Sequence, residues 1–271
     1  MKIFGILNIT HNSFSDGSEY LNLDNALLQY AQLIQDGAYM VDIGAISTSY
    51  GANLLTSEIE RSRLEPVLIE IAKQFGNLER VSIDTFRPDI AEFCIEHGVT
   101  MINDVSGGHD VNMLSVLAKN KEVKYVCVCS LQVPANRENR IESIDKLYDH
   151  AKFTIDRALD NGILEEQIIL DPGIGFTTGP DLSVEVIKNI DKFKKLGFPL
   201  YIGHSRKSFM STGLPAKDSY MKRDPETLAA SLYMFLKQID YIRVHNVALH
   251  INALKLFSRL VNYGYINTIV I

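Results

Sequence analysis

The sequence predicts a single-domain α/β protein, a (β/α)8 TIM barrel. Three observations predict it. Short apolar runs alternate with helical periodicity from end to end, which implies a parallel sheet with crossover helices. There are eight such units in 271 residues, about 34 residues each. Most of the apolar runs end on a polar residue, as expected where strand ends form a functional rim. A doubly wound sheet is the alternative arrangement of the same units. Composition is ordinary for a globular chain, at 46% hydrophobic and 22% charged residues. No linker, low-complexity stretch or composition shift divides residues 1–271.

The units run in order. The first strand, at 2–8, is nearly continuous apolar sequence and ends at Asn8; a helix is expected over 23–35. The second, 40–44, carries Asp42 and ends at Gly44, before a helix at 57–74. The third, 80–84, ends at Asp84 and leads to a helix starting at Pro88, over 88–96. The fourth, 100–104, ends on Asn103 and Asp104, with a helix at 111–118. The fifth, 124–129, ends on Cys129, with a helix at 144–161. The sixth, 167–171, ends at Asp171, with a helix at 182–194. The seventh, 199–203, precedes a helix at 225–237; the eighth, 240–245, carries Arg243 and His245, before a helix at 248–262. Fully buried parallel strands read this way, as unbroken apolar cores without alternation.

Charge and cysteine content narrow the setting. A net charge of −6 without long runs of one sign argues against nucleic acid or an anionic membrane as the partner. Three cysteines cannot all pair, which favours a reducing cytoplasm. Cys127 and Cys129 share a strand face and read as small core residues, since no neighbouring ligands complete a metal site. The apolar start is too short for a signal peptide, and no stretch reaches bilayer-spanning length.

A lone aspartate after a strand is often a turn former, but a ring of polar strand ends suits a polar ligand. Asp84, Asn103 and Asp171 offer acceptors and donors to a flat amino-amide heterocycle, and Lys207 a donor to its ring nitrogen or carbonyl. Arg243, His245 and Asn8 form a cationic and amide set suited to phosphate or pyrophosphate. The ligand expected is elongated, heterocyclic at one end and anionic at the other. No Ser-His-Asp or Cys-His arrangement calls for a protein nucleophile. His97, His150 and His250 read as surface or packing residues.

Seven segments in register resemble the dihydropteroate synthase family: GILNITHNSFSDG at 5–17, VDIGAIST at 41–48, SIDTFRPDIA at 82–91, INDVSGG at 102–108, ILDPGIGF at 169–176, SRKSF at 205–209 and IRVHNV at 242–247. The resemblance implies condensation of 6-hydroxymethyl-dihydropterin pyrophosphate with p-aminobenzoate. It assigns Asp84, Asn103, Asp171 and Lys207 to the pterin, and Asn8, Arg243 and His245 to pyrophosphate, with Asn8 on Mg2+. It assigns Thr48 and Ser205 to p-aminobenzoate, makes Asp84, Asp171, Lys207 and Arg243 the catalytic set, and implies a homodimer. The loops at 9–20 and 45–56 match the family's two closing loops. Departures from the family pattern fall mainly in loops. His11 and Asn12 replace Pro and Asp, Ser49 an arginine, Cys129 a histidine, Thr178 a lysine and Asn246 an aspartate; His204 stands where a small or apolar residue is usual. Some of these departures resemble the Sul-type, sulfonamide-insensitive synthases. The rival readings are a pterin-binding paralogue with little synthase activity and a pterin-dependent methyltransferase domain.

Overall fold

Eight strands form at the eight apolar runs: β1 (Lys2–Asn8), β2 (Met40–Gly44), β3 (Val81–Asp84), β4 (Met101–Asp104), β5 (Lys124–Val128), β6 (Ile168–Asp171), β7 (Tyr201–Ile202) and β8 (Tyr241–Val244). The structure, a computed structural model, describes residues 1–9, 19–136, 138–210 and 223–261. The 9–20 loop, His11 and Asn12 therefore lie wholly or largely outside the described residues. The strands are all parallel, in the order β6-β5-β4-β3-β2-β1-β8-β7. A parallel bridge between Leu170 and Leu200 joins the two outer strands, so the sheet curls into a nearly closed barrel. The doubly wound alternative does not form.

Helices follow the strands: α1 (Glu19–Gln35), α2 (Ser57–Phe75), α3 (Pro88–Glu96), α4 (Val111–Lys119), α5 (Ile144–Asp160), α6 (Pro180–Lys188), α7 (Asp191–Lys194), α8 (Asp224–Leu236) and α9 (Val247–Leu260). Local chemistry sets their starts. Asp110, Ser143 and Asn246 accept backbone N–H bonds from Asn112, Lys146 and Leu249. Proline occupies the first turn of α3, α6 and α8. The helix expected over 182–194 is divided, because Asn189 turns its side chain back onto the Glu185 carbonyl (2.9 Å) and ends α6. β7 is shorter than its apolar run, since only Tyr201 and Ile202 pair with β8.

Alternation along the strands separates two cores. Phe4, Met40, Met101, Val126, Val128, Ile169 and Tyr201 fill the barrel interior, with Phe4 edge-on to Tyr201 at 5.0 Å. The alternate residues, among them Val41, Ile43, Ile102, Cys127 and Leu170, pack outward in the layer shared with the helices. The interior parity then continues upward: Met40 to Asp42 and Gly44, Met101 to Asn103, Ile169 to Asp171, and Tyr241 to Arg243 and His245. Apolar residues close the barrel below and polar residues line its mouth.

Candidate active site

Register places the rim. Asn8 pairs with Gly44, Gly44 with Asp84, and Asp84 with Asn103, so these four stand side by side on neighbouring strands. Arg243 lies level with Phe4, deeper in the barrel, and its long side chain rises to the rim. There the acidic and cationic sets interlock. One Arg243 nitrogen, Nη1, donates to both Asp42 and Asp84. Asp42, missing from the expected ligand set, is the hub. It is 1% exposed and also accepts from Ser82 Oγ (2.6 Å) and Asn103 Nδ2 (2.9 Å).

Two strand-end residues leave the ring. Asp104 has the opposite parity to Asn103. It accepts from Ser106 N (2.8 Å), Ser106 Oγ (2.6 Å), Gly108 N (2.7 Å) and Tyr125 Oη (3.1 Å), which makes it a turn former. Cys129 is fully buried in the outer core with Cys127, and burial pushes its thiol well above the ordinary range.

On the other side, Asp171 Oδ1 accepts from Gly173 N at 2.8 Å. Gly173 is bound to this turn: its φ is +71, and a Cβ would meet the Cys129 carbonyl oxygen at 2.1 Å. Lys207 spans the same loop. Its ammonium donates to the Ile174 carbonyl and lies 4.6 Å from the centre of the Phe176 ring. Thr178 accepts from Gly175 N (2.8 Å) and pairs with Ser183 Oγ (2.7 Å), so this departure knits the loop instead of facing the rim.

The SRK segment is held from behind. Arg206 makes two bonds to Asp224 (2.6 and 2.9 Å), and Asn246 Nδ2 donates to the same carboxylate at 3.2 Å. That commits the Arg206 guanidinium to structure and presents its neighbours, Ser205 and Lys207. Ser205 Oγ accepts from His245 N (3.2 Å) and shares a second hydrogen bond with His245 Nδ1 (2.9 Å), in which either atom can donate. His204 is fully buried behind β7 against Ser231 Oγ (2.8 Å), a packing histidine. Among the others, His97 bonds the Phe93 carbonyl (2.8 Å), His150 the Ser130 carbonyl (3.3 Å) and His250 the Asn246 carbonyl (2.7 Å).

Electrostatics follow burial. Burial raises Asp84 and Asp171 above the ordinary carboxylate range, against the opposing pull of Arg243 on Asp84 and of Lys207 on Asp171. Burial lowers Lys207 to about 8, with Asp171 resisting. Burial works to lower Arg243, but Asp84 and Asp42 outweigh it and the guanidinium stays charged. Burial, reinforced by Arg206 and Arg243, lowers His245 to about 4. His245 is therefore neutral near pH 7 in the ligand-free chain, and a neutral imidazole still offers an N–H donor. Asn103 Oδ1 and Arg243 Nε are buried without a hydrogen-bond partner among the described residues. Gly203 leaves the space beside Arg243 Nε open: a Cβ there would stand 3.5 Å from Asp171 Oδ2 and 3.7 Å from Arg243 Nε. A polar ligand with both donors and acceptors answers those atoms.

A resident metal cage is not built here: among the described residues no group of three His, Cys, Asp or Glu side chains converges. Asn8 is exposed at the rim, and one amide oxygen suits a Mg2+ ion whose other ligands are phosphate oxygens and water.

Residues 4–245 match the pterin binding enzyme family. Dihydropteroate synthase type-3 of Escherichia coli is 37% identical over 271 residues, covering 96% of this chain and 99% of that one. The chain belongs to the dihydropteroate synthase family. Solved members of that family share its fold. Dihydropteroate synthase from Anaplasma phagocytophilum, with bound 6-hydroxymethylpterin-monophosphate, superposes with a TM-score of 0.83 at 33% identity, covering 96% of this chain and 98% of that one. The Xanthomonas albilineans dihydropteroate synthase with 4-aminobenzoic acid gives 0.86 at 27% identity, covering 96% and 92%. Within this synthase family member, Asn8, Asp84, Asn103, Asp171, Lys207, Arg243 and His245 all belong to one barrel mouth. The sequence reading places Asp42 among the polar strand ends but not in the ligand set, and it does not single out Asp224. The parity of Asp42 with the strand end at Gly44 was a usable signal; the pairing of Asp224 with Arg206 had none.

Proposed function

We propose that this chain joins 6-hydroxymethyl-7,8-dihydropterin pyrophosphate to p-aminobenzoate, giving 7,8-dihydropteroate and pyrophosphate in folate biosynthesis. The observation that carries the reading is the interlocked cluster of Asp42, Asp84, Asn103 and Arg243 beside Asp171 and Lys207. Asp171 and Asn103 Oδ1 accept N–H bonds from the pterin ring, and Lys207 donates to its carbonyl or ring nitrogen. Arg243 Nε and His245 Nε2 face the pyrophosphate, with Ser205 holding the imidazole through Nδ1. Mg2+ held by Asn8 would neutralise charge on the leaving group.

The C–O bond breaks with its electron pair leaving on pyrophosphate. Asp84 and Asp171 stabilise the positive charge that develops on the pterin methylene. A cation in the site also favours their ionised forms, reversing the effect of burial. The amine of p-aminobenzoate then forms the C–N bond and releases a proton. Thr48 and Ser205 border the p-aminobenzoate side. No protein nucleophile takes part.

Residues 1–271 form one catalytic domain in this reading, and two chains form a homodimer. Three buried free thiols suit a reducing cytoplasm, and among the described residues no helix is long and apolar enough to cross a membrane. The test is purified protein with the pterin pyrophosphate, p-aminobenzoate and Mg2+, following pyrophosphate release and dihydropteroate. Formation of both supports the proposal. Tight pterin binding without turnover would replace it with the paralogue reading, and preference for a methylated folate with the methyltransferase.

A further inference from the structure

The 45–56 loop carries Thr48 and lacks the arginine usual in the family, and the sequence reads it as a closing loop. In the structure it is tied down at three backbone carbonyls. Arg63 Nη1 donates to Ala45 O (2.7 Å) at its start, Ala135 N to Thr48 O (3.1 Å), and Arg87 Nη2 to Leu55 O at its end. Both arginines are anchored on rigid elements. Arg63 lies on α2, one turn after Glu60, so the two share a helix face. Arg87 precedes α3 and stands three residues after Asp84, at the top of β3. Glu60 is completely buried, and Arg87 Nη1 donates to its Oε2 at 2.6 Å. A single guanidinium thus joins the first turn of α2, the end of the loop and the strand that carries Asp84.

A buried ion pair is a poor device for stability alone, because desolvating both charges offsets most of their attraction. Its value is geometric. Glu60 engages one nitrogen of the guanidinium fork and the Leu55 carbonyl the other, so the two contacts together fix where the loop end sits relative to α2 and β3. We infer that Glu60 and Arg87 are a positioning pair that, with Arg63, sets the 45–56 loop relative to Asp84 and so fixes where the second substrate, p-aminobenzoate, is received. The inference rests on the proposed synthase activity for its kinetic consequence, but its structural consequence is independent of that activity.

The experiment uses the full chain and the Arg87→Met, Arg87→Lys and Arg63→Met variants. Two quantities are read: amide hydrogen exchange across 45–56, and KM for p-aminobenzoate beside Kd for 6-hydroxymethylpterin monophosphate. Arg87→Met is expected to speed exchange within 45–56 about tenfold or more and to raise KM for p-aminobenzoate about tenfold, while the pterin Kd stays within about twofold. Arg87→Lys keeps the charge but not the fork, so it retains thermal stability without restoring KM. Arg63→Met, which leaves Glu60 paired, gives a smaller change of the same kind and serves if Arg87→Met does not fold. Unchanged loop exchange in a folded variant overturns the inference, as does a pterin Kd that weakens in step with KM. A parent protein that makes no dihydropteroate refutes the proposed function instead, and loop exchange still decides the role of the pair.

Discussion

Asp42→Ala removes the hub of the barrel mouth, and the structure allows its effect to be worked out. Asp42 is 1% exposed and accepts from Ser82, Asn103 and Arg243. The variant leaves Ser82 Oγ and Asn103 Nδ2 without this acceptor and Arg243 with Asp84 alone. Each stranded buried donor costs about 1–3 kcal/mol. Breaking one side of a buried ion pair costs about 3–5 kcal/mol. These effects overlap on one carboxylate, so about 4 kcal/mol is the expected loss, a large fraction of the roughly 5–15 kcal/mol that holds a domain folded. At about 2–4 °C per kcal/mol for a chain of this size, Tm falls by about 8–16 °C. Asp42→Asn keeps an acceptor for most of the donors and loses the charge, and about half that shift is expected. The functional consequence is separate. Asp42 orients the Asn103 amide, so affinity for 6-hydroxymethylpterin monophosphate falls about 10–100-fold in Asp42→Ala and by less in Asp42→Asn. Thermal unfolding by circular dichroism and titration calorimetry read the two effects. A Tm within about 2 °C of the parent together with unchanged pterin affinity would refute the hub assignment.

Other outcomes follow from the same geometry. Lys207 titrates near 8, and its charged form is the donor, so kcat/KM for the pterin substrate falls about tenfold per unit as pH rises above about 8. The stability linkage has the opposite sense. The folded pKa lies below the unfolded value of 10.5, so the cost of burying the ammonium, present below about 8, is relieved as pH rises toward that value. A pH–rate profile beside denaturant midpoints checks both, and a flat rate from about pH 7 to 10 would contradict the first. His245 is lowered to about 4, so it contributes no ionisation step between about pH 5.5 and 7.5 in the free protein. Ser205→Ala releases its Nδ1, and a drop of about tenfold in kcat/KM is expected; an unchanged value would show that the imidazole is held elsewhere. Gly173→Ala places a Cβ 2.1 Å from the Cys129 carbonyl at φ +71, and soluble protein with parental Tm would show that this turn relaxes freely.

The presence and order of the eight strand–helix units and the family motifs are local properties, and the sequence alone determined them, while the exact ends of β7 and the division of α6 from α7 appear only in the structure. Asn8, Asp84, Asn103, Asp171, Lys207, Arg243 and His245 were all legible at or beside strand ends because a parallel barrel collects those ends on one face. Asp104 and Cys129 looked equivalent to them in the linear order. Only side-chain alternation within the closed sheet sends them outward, into the helix layer. Barrel closure likewise brings Arg243 of β8 onto Asp42 of β2 and Asp84 of β3, contacts across most of the chain that no local pattern encodes. The neutral state of His245, the commitment of Arg206 to Asp224 and the tethering of the 45–56 loop are also decided there. Each depends on burial and on side chains from distant segments meeting at bonding distance. Spacing along the chain announces the chemical groups; tertiary packing decides which of them touch and which carry charge.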